Sequence, residues 1–539
     1  MAITGSRGPR TALPLVLLAL AGCAAGAAPA TGPAPAGAAP AGAGAGTAAA
    51  TFGAPITADE LRARLGILAH DSMRGRETGT PGARMAADYL VRELTRMGVR
   101  PAGDGGTYLA RVPLTRESSS VQATARTSRG EATLGSADLA LLSGLSDVPA
   151  SPKATGEGPI VFAGYQADPG VTTAQELRPE QMRGAVLVLR YGAPQGVAAQ
   201  SARFDLAQLW GPGSPLGAVL LVNEGPFMQQ AWDYLQGSAG ASLRLDTGAQ
   251  PTGPTGGPPV FIVSAAAAER LVGGPLGRTP RTGLGTFRWR VQESENRVDA
   301  WNVVGVLPGS DPRRAGEYVA VGAHYDHVGV TEPVNGDSIN NGADDDGSGT
   351  AAVLAIANRY AALPQAQRPA RSLLFVWHTG EEEGLLGSEW FTDHPTVPRD
   401  SIVAQLNIDM IGRNHPDSVY LVGSRRVSSQ LGDMVEAANA RQPRPLGLDY
   451  TFDASGHPEQ IYCRSDHYNY ARYGIPVTFF TTGLHEDYHK PSDELDKIDF
   501  TKLARIAGLI SDITGQVANA PGRPVVDRPV PPLGTPCTQ

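Results

Sequence analysis

The chain has 539 residues, of which 41% are hydrophobic and 18% are charged. This is the composition of a globular protein, and the length suffices for two or three domains. The formal net charge is −8 and there is no long run of lysine and arginine, so nothing in the composition supports a nucleic-acid-binding protein.

The first residues have the pattern of an export signal. Arg7 and Arg10 precede an apolar stretch, residues 12–21, that is too short to span a bilayer as a mature helix. The letters LAGC, which end at Cys23, resemble the bacterial lipoprotein box, in which the cysteine is lipidated. The alternative is a plain secretion signal with an incidental cysteine. We therefore expect a location in the bacterial cell envelope, lipid-anchored on the outer membrane or facing the periplasm, or else secretion.

The chain after Cys23 is predicted to fold as one main domain with an insert. The next residues are almost wholly Ala, Gly, Pro and Thr, which is typical of an unfolded tether. Cys463 and Cys537 are far apart in sequence, so a disulfide between them is left open. The predicted segments are a lipoprotein signal peptide (1–23), a tether (24–55), the first part of the main domain (56–150), an insert (151–285), the second part of the main domain (286–520) and a disordered, proline-rich tail (521–539).

Strands alternate with helices along the main domain. The predicted strands are 108–114, 301–306, 318–323, 372–377, 402–408, 419–422 and 475–480, and the predicted helices are 57–68, 83–97, 351–363, 385–391, 428–440 and 500–517. This alternation predicts an α/β fold with a mainly parallel central sheet and helices on both faces. Between 151 and 285, short apolar runs between Gly/Pro-rich turns predict a β-rich inserted domain.

Residues with metal-binding side chains follow four of the predicted strands. His324 ends the strand that begins at Tyr318, Glu residues 381–383 follow the next one, Asp409 follows the third, and residues 485–489 contain two histidines. Because ligands of open α/β sheets bind beyond the carboxyl ends of the strands, these side chains are placed for chemistry. Imidazole with carboxylate favours zinc. Taken singly, each has an ordinary alternative: a strand-end histidine, a solvated acidic turn or a loop histidine.

Several motifs, in their order along the chain, resemble those of one known family. The motifs are GAHYD, NGADDDGSG, GEEEGLLGS, NIDMIG, SDHYNYARYGIPVTFF and HEDYHKPSDELDKID. They resemble the co-catalytic di-zinc aminopeptidases, which include bacterial leucyl aminopeptidases, plasma glutamate carboxypeptidase and the transferrin receptor. The resemblance covers about residues 56–150 and 290–520 and implies the zinc aminopeptidase fold. The insert, through GPIVFAGYQ and MRGAVLVLRYG, resembles the protease-associated domain.

The resemblance implies a site with two zinc ions per chain. By position in the motifs, His324 and Asp409 correspond to ligands of one zinc, and Glu382 and His489 to ligands of the other. Asp345 corresponds to the carboxylate that bridges both. Two cations that share one carboxylate and keep open positions are a coherent arrangement for hydrolysis.

Other residues of the family's site also have counterparts here. Glu381 corresponds to the general base, and Asp326 to the carboxylate that orients a ligand imidazole, with a turn aspartate as the alternative. Tyr462 and Tyr488 resemble tyrosines near the reacting carbonyl, with core packing as the alternative for each. The resemblance also implies a cis peptide bond after Asp345.

The function implied by the resemblance is that of a zinc-dependent exopeptidase, an aminopeptidase that removes N-terminal residues from peptides with a metal-activated water and a glutamate base. The alternatives are a glutaminyl cyclase with one zinc, a carboxypeptidase or dipeptidase of the same fold, and a noncatalytic binding module like the transferrin receptor. The presence of Glu381 and of all five ligand positions argues against the last. The expected partners are peptide substrates and, through Cys23, a membrane; the oligomeric state is left open.

Overall fold

The structure is a computed structural model that describes residues 54–142 and 256–530 without gaps. The other described residues are 153–172, 175–197, 204–211, 213–225, 228–229, 231–232, 235, 241–248, 533–534, 537 and 539. The predicted signal peptide with Cys23, and nearly all of the predicted tether, lie outside these residues. Within them, no helix is both long enough and apolar enough for a membrane span.

The strands of the described residues fall into the main domain and the insert. They are β1 (Arg100–Pro101), β2 (Leu109–Thr127), β3 (Gly130–Leu134), β4 (Leu139–Leu141), β5 (Thr155–Tyr165), β6 (Val186–Arg190), β7 (Ala218–Asn223), β8 (Ala241–Leu245), β9 (Val260–Ser264), β10 (Thr286–Leu307), β11 (Tyr318–His324), β12 (Val330–Val334), β13 (Asp337–Ile339), β14 (Ser372–His378), β15 (Ile402–Ile408), β16 (Ser418–Val422), β17 (Gly447–Asp449) and β18 (Val477–Thr481).

Several of the helices in the described residues begin at a side-chain cap. Thr80 caps the second helix through its side chain, and Gly98, at φ 69°, ends it in the left-handed conformation that suits glycine. The helices are α1 (Ala58–Leu68), α2 (Pro81–Met97), α3 (Pro179–Met182), α4 (Leu206–Trp210), α5 (Ala265–Val272), α6 (Gly349–Ala361), α7 (Leu386–Asp393), α8 (Ser429–Ala440), α9 (His467–Ala471) and α10 (Phe500–Asn519).

Four parallel strands form the centre of the main-domain sheet. β11 pairs in parallel with β14 on one side and with β15 on the other, and β15 pairs in parallel with β18. The next strands outward, β10 beside β14 and β16 beside β18, are antiparallel. The carboxyl ends of the four central strands therefore meet at one edge of the sheet.

Helices cover both faces of this sheet. On one face, α1, α2, α6, α8 and α10 enclose a core that includes Leu90, Val321, Ile356 and Leu509. On the other face, residues of α7 and α9, such as Phe391 and Tyr470, pack with the central strands. Strands buried on both faces explain why β11, β14 and β15 are almost continuously apolar. The predicted α/β fold with a mainly parallel sheet is confirmed.

The insert has cores of its own, and its strands continue the sheet beyond β10, which pairs antiparallel with β5. β5, β6, β7 and β9 pair in parallel, and separate apolar clusters cover the two faces. One cluster includes Ala123, Ala125 and Leu134, which precede residue 151. The predicted boundary at 150/151 is therefore too late, because the insert begins within β2.

Two long antiparallel strands, β2 and β10, join the insert to the main domain. They are much longer than the predicted strands at 108–114 and 301–306. The reason is that the middle of β10, residues 292–297, is exposed and polar, so no hydrophobic alternation marks it as a strand.

The described residues of the tail lie against the main domain. The backbone N–H of Asp527 donates to the carbonyl of Val427, and its carboxylate accepts from the backbone N–H of Ser429. Cys537 forms a disulfide with Cys463, which answers the question that the sequence left open. The expectation of a disordered tail is therefore wrong for these residues, because specific pairs hold a segment whose composition lacks any periodic pattern.

We expect loss of this disulfide to destabilise the chain. Replacing Cys463 by Ser should lower the free energy of unfolding by about 2–4 kcal/mol, since the bridge closes a long loop in the unfolded chain. The measurement is denaturant unfolding without reductant. The Cys463→Ser/Cys537→Ser double variant should lose no more than either single variant; an additive loss would contradict the pairing.

Candidate metal centre

The candidate site lies at the edge where the carboxyl ends of β11, β14, β15 and β18 meet. β11 ends at His324, β15 ends directly before Asp409, and β14 ends three residues before Glu381. The loop after β18 and the loop between β13 and α6 complete the site. The structure brings the five predicted ligands together at this edge: His324, Asp345, Glu382, Asp409 and His489.

Asp345 lies between two histidines. Its Oδ1 is 3.3 Å from His324 Nε2, and its Oδ2 is 3.1 Å from His489 Nε2. His324 Nε2 is also 3.6 Å from Asp409 Oδ1, while His489 Nε2 is 2.9 Å from Glu382 Oε2. Each imidazole therefore faces Asp345 and at least one further carboxylate, an arrangement that suits a carboxylate shared by two cations.

The donor atoms of the site fit divalent cations. Asp345 Oδ2 and Asp409 Oδ1 are buried and have no hydrogen-bond partner among the described residues. Buried carboxylate oxygens are costly unless a cation or donors compensate them. Among the described residues, three groups of side chains are close enough to hold an ion: His327 with Asp345, Glu382 and His489; His324 with Glu381 and Glu382; and His324 with Asp346 and Asp409. Mixed imidazole and carboxylate donors suit zinc.

Burial and mutual charge shift the protonation of these groups. Burial raises the pKa of Glu381 well above its usual value. For His489, burial lowers the pKa, but the carboxylates of Glu382 and Asp345 outweigh it and bring the pKa to about 10. The pKa of His324 is also raised, because burial lowers it but the carboxylates of Glu381 and Asp409 outweigh that effect. Because ligand imidazoles must be neutral, a bound cation would displace these protons.

Asp326 lies behind His324, as expected of an orienting carboxylate. His324 Nδ1 is 3.2 Å from the backbone oxygen of Asp326 and 3.7 Å from its Oδ1. The Thr78 hydroxyl donates to Asp326 Oδ2 and holds the carboxylate in place. This position suits a group that fixes the tautomer of His324. The role itself stays a prediction.

The peptide bond between Asp345 and Asp346 is trans, so the expectation of a cis bond is wrong. Asp345 has an extended backbone, with φ −98° and ψ 108°, and in this conformation its carboxylate reaches both histidines. Asp346 instead accepts from the backbone N–H groups of His324 and Gly349. It thereby ties the strand end to the start of α6.

The two predicted tyrosines lie in different surroundings. Tyr488 stacks on His489 with ring centroids 3.8 Å apart, and its hydroxyl accepts from Arg464. Tyr462 is buried and packs against His467, within the apolar core on that face of the sheet. Tyr488 is thus part of the site, whereas the position of Tyr462 matches the core-packing alternative.

His327 lies in the site although the sequence reasoning did not single it out. Its Nδ1 is 2.7 Å from Glu382 Oε1 and 3.8 Å from Asp345 Oδ2. The signal that could have found it is its place in the strand-end motif, directly after Asp326 and three residues after His324.

Arg76 fastens the loops that carry the site. Its buried guanidinium donates to the backbone oxygens of Tyr325, Asn341 and Gly342 at 2.8, 2.6 and 3.0 Å. Arg76 comes from the turn-rich segment between α1 and α2. The contact therefore ties that helix pair to the strand end with His324 and to the loop with Asp345.

A pocket opens beside these residues. Asp345, Glu381 and Asp409 line it, and Arg464 and Tyr488 contribute polar groups. The other lining side chains are mostly apolar: Met410, Phe452, Ile461, Phe479, Thr481 and Leu484. The pocket thus combines the candidate metal ligands with space for an apolar group.

Comparison with known proteins agrees with this geometry. Residues 302–514 match the model of peptidase family M28. The chain is 31% identical over 219 residues to a probable leucine aminopeptidase from Arthroderma benhamiae, covering 39% of this chain and 56% of the relative. It is 29% identical over 248 residues to leucine aminopeptidase 1 from Ajellomyces capsulatus, covering 43% and 60%. The chain thus spans somewhat more than half the length of these relatives.

Solved structures show the same fold. An aminopeptidase from Aneurinibacillus sp. strain AM-1 matches with a TM-score of 0.53 at 18% identity, covering 89% of this chain and 97% of the other. A zinc aminopeptidase from Bacillus subtilis matches with a TM-score of 0.51 at 18% identity, covering 85% and 95%. The fold is therefore that of the zinc aminopeptidases. The match of residues 302–514 to the family M28 model confirms the family resemblance of the motifs.

We expect Arg76 to be essential for the stability of the site. Replacing Arg76 by Met should lower the free energy of unfolding by at least about 3 kcal/mol, because several buried carbonyls lose their donor at once. Denaturant unfolding measures this change. Arg313→Met is the matched control: that side chain is 93% exposed, so its loss should change stability by no more than about 0.5 kcal/mol. Equal effects of the two substitutions would contradict the role of Arg76.

Proposed function

We propose that the chain is a zinc-dependent aminopeptidase that binds two zinc ions and removes N-terminal residues from peptides. The observation that carries this proposal is the position of Asp345 between His324 and His489, each of which faces a second carboxylate. The M28 match and the names of the relatives, leucine aminopeptidases and zinc aminopeptidases, support it.

Bound zinc would polarise the scissile carbonyl and lower the pKa of the attacking water. Glu381 is suited to the general base, because its Oε2 lies 3.9 Å from His324 Nε2 and its carboxylate lines the pocket. It takes the proton of the water and returns it to the leaving amine. The Tyr488 hydroxyl, held by Arg464, is placed to donate to the oxygen that becomes negative.

The pocket suggests which peptides bind. Met410, Phe452, Phe479 and Leu484 offer an apolar surface next to the candidate metal ligands. An apolar side chain of the N-terminal residue gains free energy by leaving water there. We therefore propose peptides with N-terminal leucine or a similar apolar residue as substrates, in line with the names of the curated relatives.

A dipeptidase is the second candidate function, and Arg464 favours it. Arg464 lines the pocket, pairs with Glu459 at 2.9 Å and donates to Tyr488. A guanidinium in this position can pair with the free carboxylate of a short peptide. Dipeptides would then be cleaved faster than longer peptides with the same N-terminal residue.

We also propose that the protein works outside the cytoplasm, anchored to a membrane through lipid on Cys23. The disulfide between Cys463 and Cys537 supports an oxidising compartment. The resemblance of the insert to the protease-associated domain likewise stays a proposal.

Replacing Glu381 by Gln should lower kcat by about 10²- to 10⁴-fold while zinc stays bound, because the variant keeps the size of the side chain but loses the base. Kinetics together with elemental analysis test this. Glu383→Gln is the control: Glu383 follows in the same turn but neither lines the pocket nor belongs to the groups that could hold an ion. Wild-type turnover by Glu381→Gln would refute the assigned role.

A panel of substrates separates the candidate functions. We expect zinc-dependent release of p-nitroaniline from leucyl-p-nitroanilide and much slower release from the aspartyl analogue, since the pocket is apolar. A preference for dipeptides over leucyl-p-nitroanilide would favour the dipeptidase. Cyclisation of N-terminal glutamine by protein with one zinc would indicate the cyclase, and zinc-loaded protein without any turnover would indicate the binding module.

A further inference from the structure

His327 contacts the same carboxylates as the predicted ligand His489. Its Nδ1 is 2.7 Å from Glu382 Oε1 and 3.8 Å from Asp345 Oδ2. His489 Nε2 is 2.9 Å from Glu382 Oε2 and 3.1 Å from Asp345 Oδ2. The two imidazoles therefore approach one pair of carboxylates, and their ring centroids are 5.6 Å apart.

Within the described residues, the His327 ring makes its polar contacts through Nδ1, on the side of the candidate site. Its Nε2 is buried and has no hydrogen-bond partner among the described protein atoms. The Nδ1 atom, by contrast, faces the carboxylates of Asp345 and Glu382, two of the predicted metal ligands. The four donor atoms, from His327, Asp345, Glu382 and His489, lie within 4.8 Å of one another.

The chain holds the His327 ring in this position. Its backbone N–H donates to the carbonyl of Arg76. Gly342 packs against the ring: a Cβ atom at this residue would lie 2.5 Å from His327 Cδ2, and its φ of 55° also favours glycine. The ring is thus placed by the same two segments, around Arg76 and Gly342, that position Asp345.

We propose that His327 is a further protein ligand, through Nδ1, of the cation that Asp345, Glu382 and His489 bind. This inference rests on the proposed two-metal function. It adds a third histidine to His324 and His489, beyond the five ligands that the family resemblance implies.

The proposal makes the two cation positions unequal. The position with His327 has four protein ligands, two of them imidazoles, whereas the position with His324, Asp345 and Asp409 has three. Zinc with four protein ligands is typical of structural sites, and zinc with three ligands and an open position is typical of catalytic ones. The position beside His324 would therefore keep the open site that a substrate carbonyl can take, and the position beside His327 would bind its cation more tightly.

The first test counts the ligating imidazoles in the wild-type chain. Protein labelled with ¹⁵N-histidine and loaded with Co²⁺ is studied by NMR, because a paramagnetic ion strongly shifts the ring signals of the histidines that bind it. We expect three strongly shifted rings, from His324, His327 and His489. Two shifted rings, with two cobalt ions per chain, would overturn the proposal.

The second test measures metal affinity in a variant. His327→Gln should weaken the binding of one of two zinc ions by at least about 10-fold, since loss of groups that only support a ligand already costs 10- to 100-fold. Competition with a chromogenic chelator measures this. His415→Gln is the control, because His415 is exposed and its Nδ1 accepts from the backbone of Asp417, outside the site. Unchanged affinity in a folded His327→Gln variant would overturn the proposal.

These tests separate the two claims. Wild-type protein that binds no stoichiometric metal would end the proposed function itself. Protein that binds two metals with two shifted imidazoles would end only the role of His327. The NMR count uses the wild-type chain, so it decides the question even where the variant does not fold.

Discussion

The constraint on which the rest of the structure depends is the concentration of buried carboxylates at one edge of the sheet. Asp345, Glu381, Glu382 and Asp409 lie close together there. Burying such charges costs several kcal/mol per ion unless they are paired. Histidines and backbone N–H groups compensate part of the charge, and divalent cations are the counter-charge that the remaining donor atoms fit. Asp345, which lies between His324 and His489, joins the two halves of this cluster.

Parallel strand pairing creates this edge of the sheet. Parallel pairing aligns the carboxyl ends of β11, β14 and β15, so residues far apart in sequence arrive at one place. Arg76 fastens the loops behind them. On the other side of the pocket, the disulfide from Cys463 to Cys537 holds the loop with Ile461 and Arg464 against the tail. The ends of β11 and β15 thus place His324 and Asp409, while loops carry the other three candidate ligands and most of the residues that line the pocket.

Local patterns in the sequence predicted the α/β fold and the metal-binding residue types after the strands, whereas the family resemblance predicted the individual residues of the site. Apolar runs mark the buried strands, and polar residues directly after them mark the strand ends. The sequence did not predict the full length of β10, whose middle is exposed on both sides. The sequence also failed to predict the tail and the trans peptide bond at Asp345, because these depend on contacts between distant segments. His327 escaped notice because the family resemblance directs attention to its neighbour His324.

The measurement that tests the account most directly is the metal content of the Asp345→Asn variant beside that of Asp409→Asn, by elemental analysis after dialysis against buffered zinc. A carboxylate shared by two cations predicts two zinc ions in the wild-type chain, loss of both in Asp345→Asn and loss of one in Asp409→Asn. Wild-type protein without zinc, or an Asp345→Asn variant that keeps both ions, would contradict it.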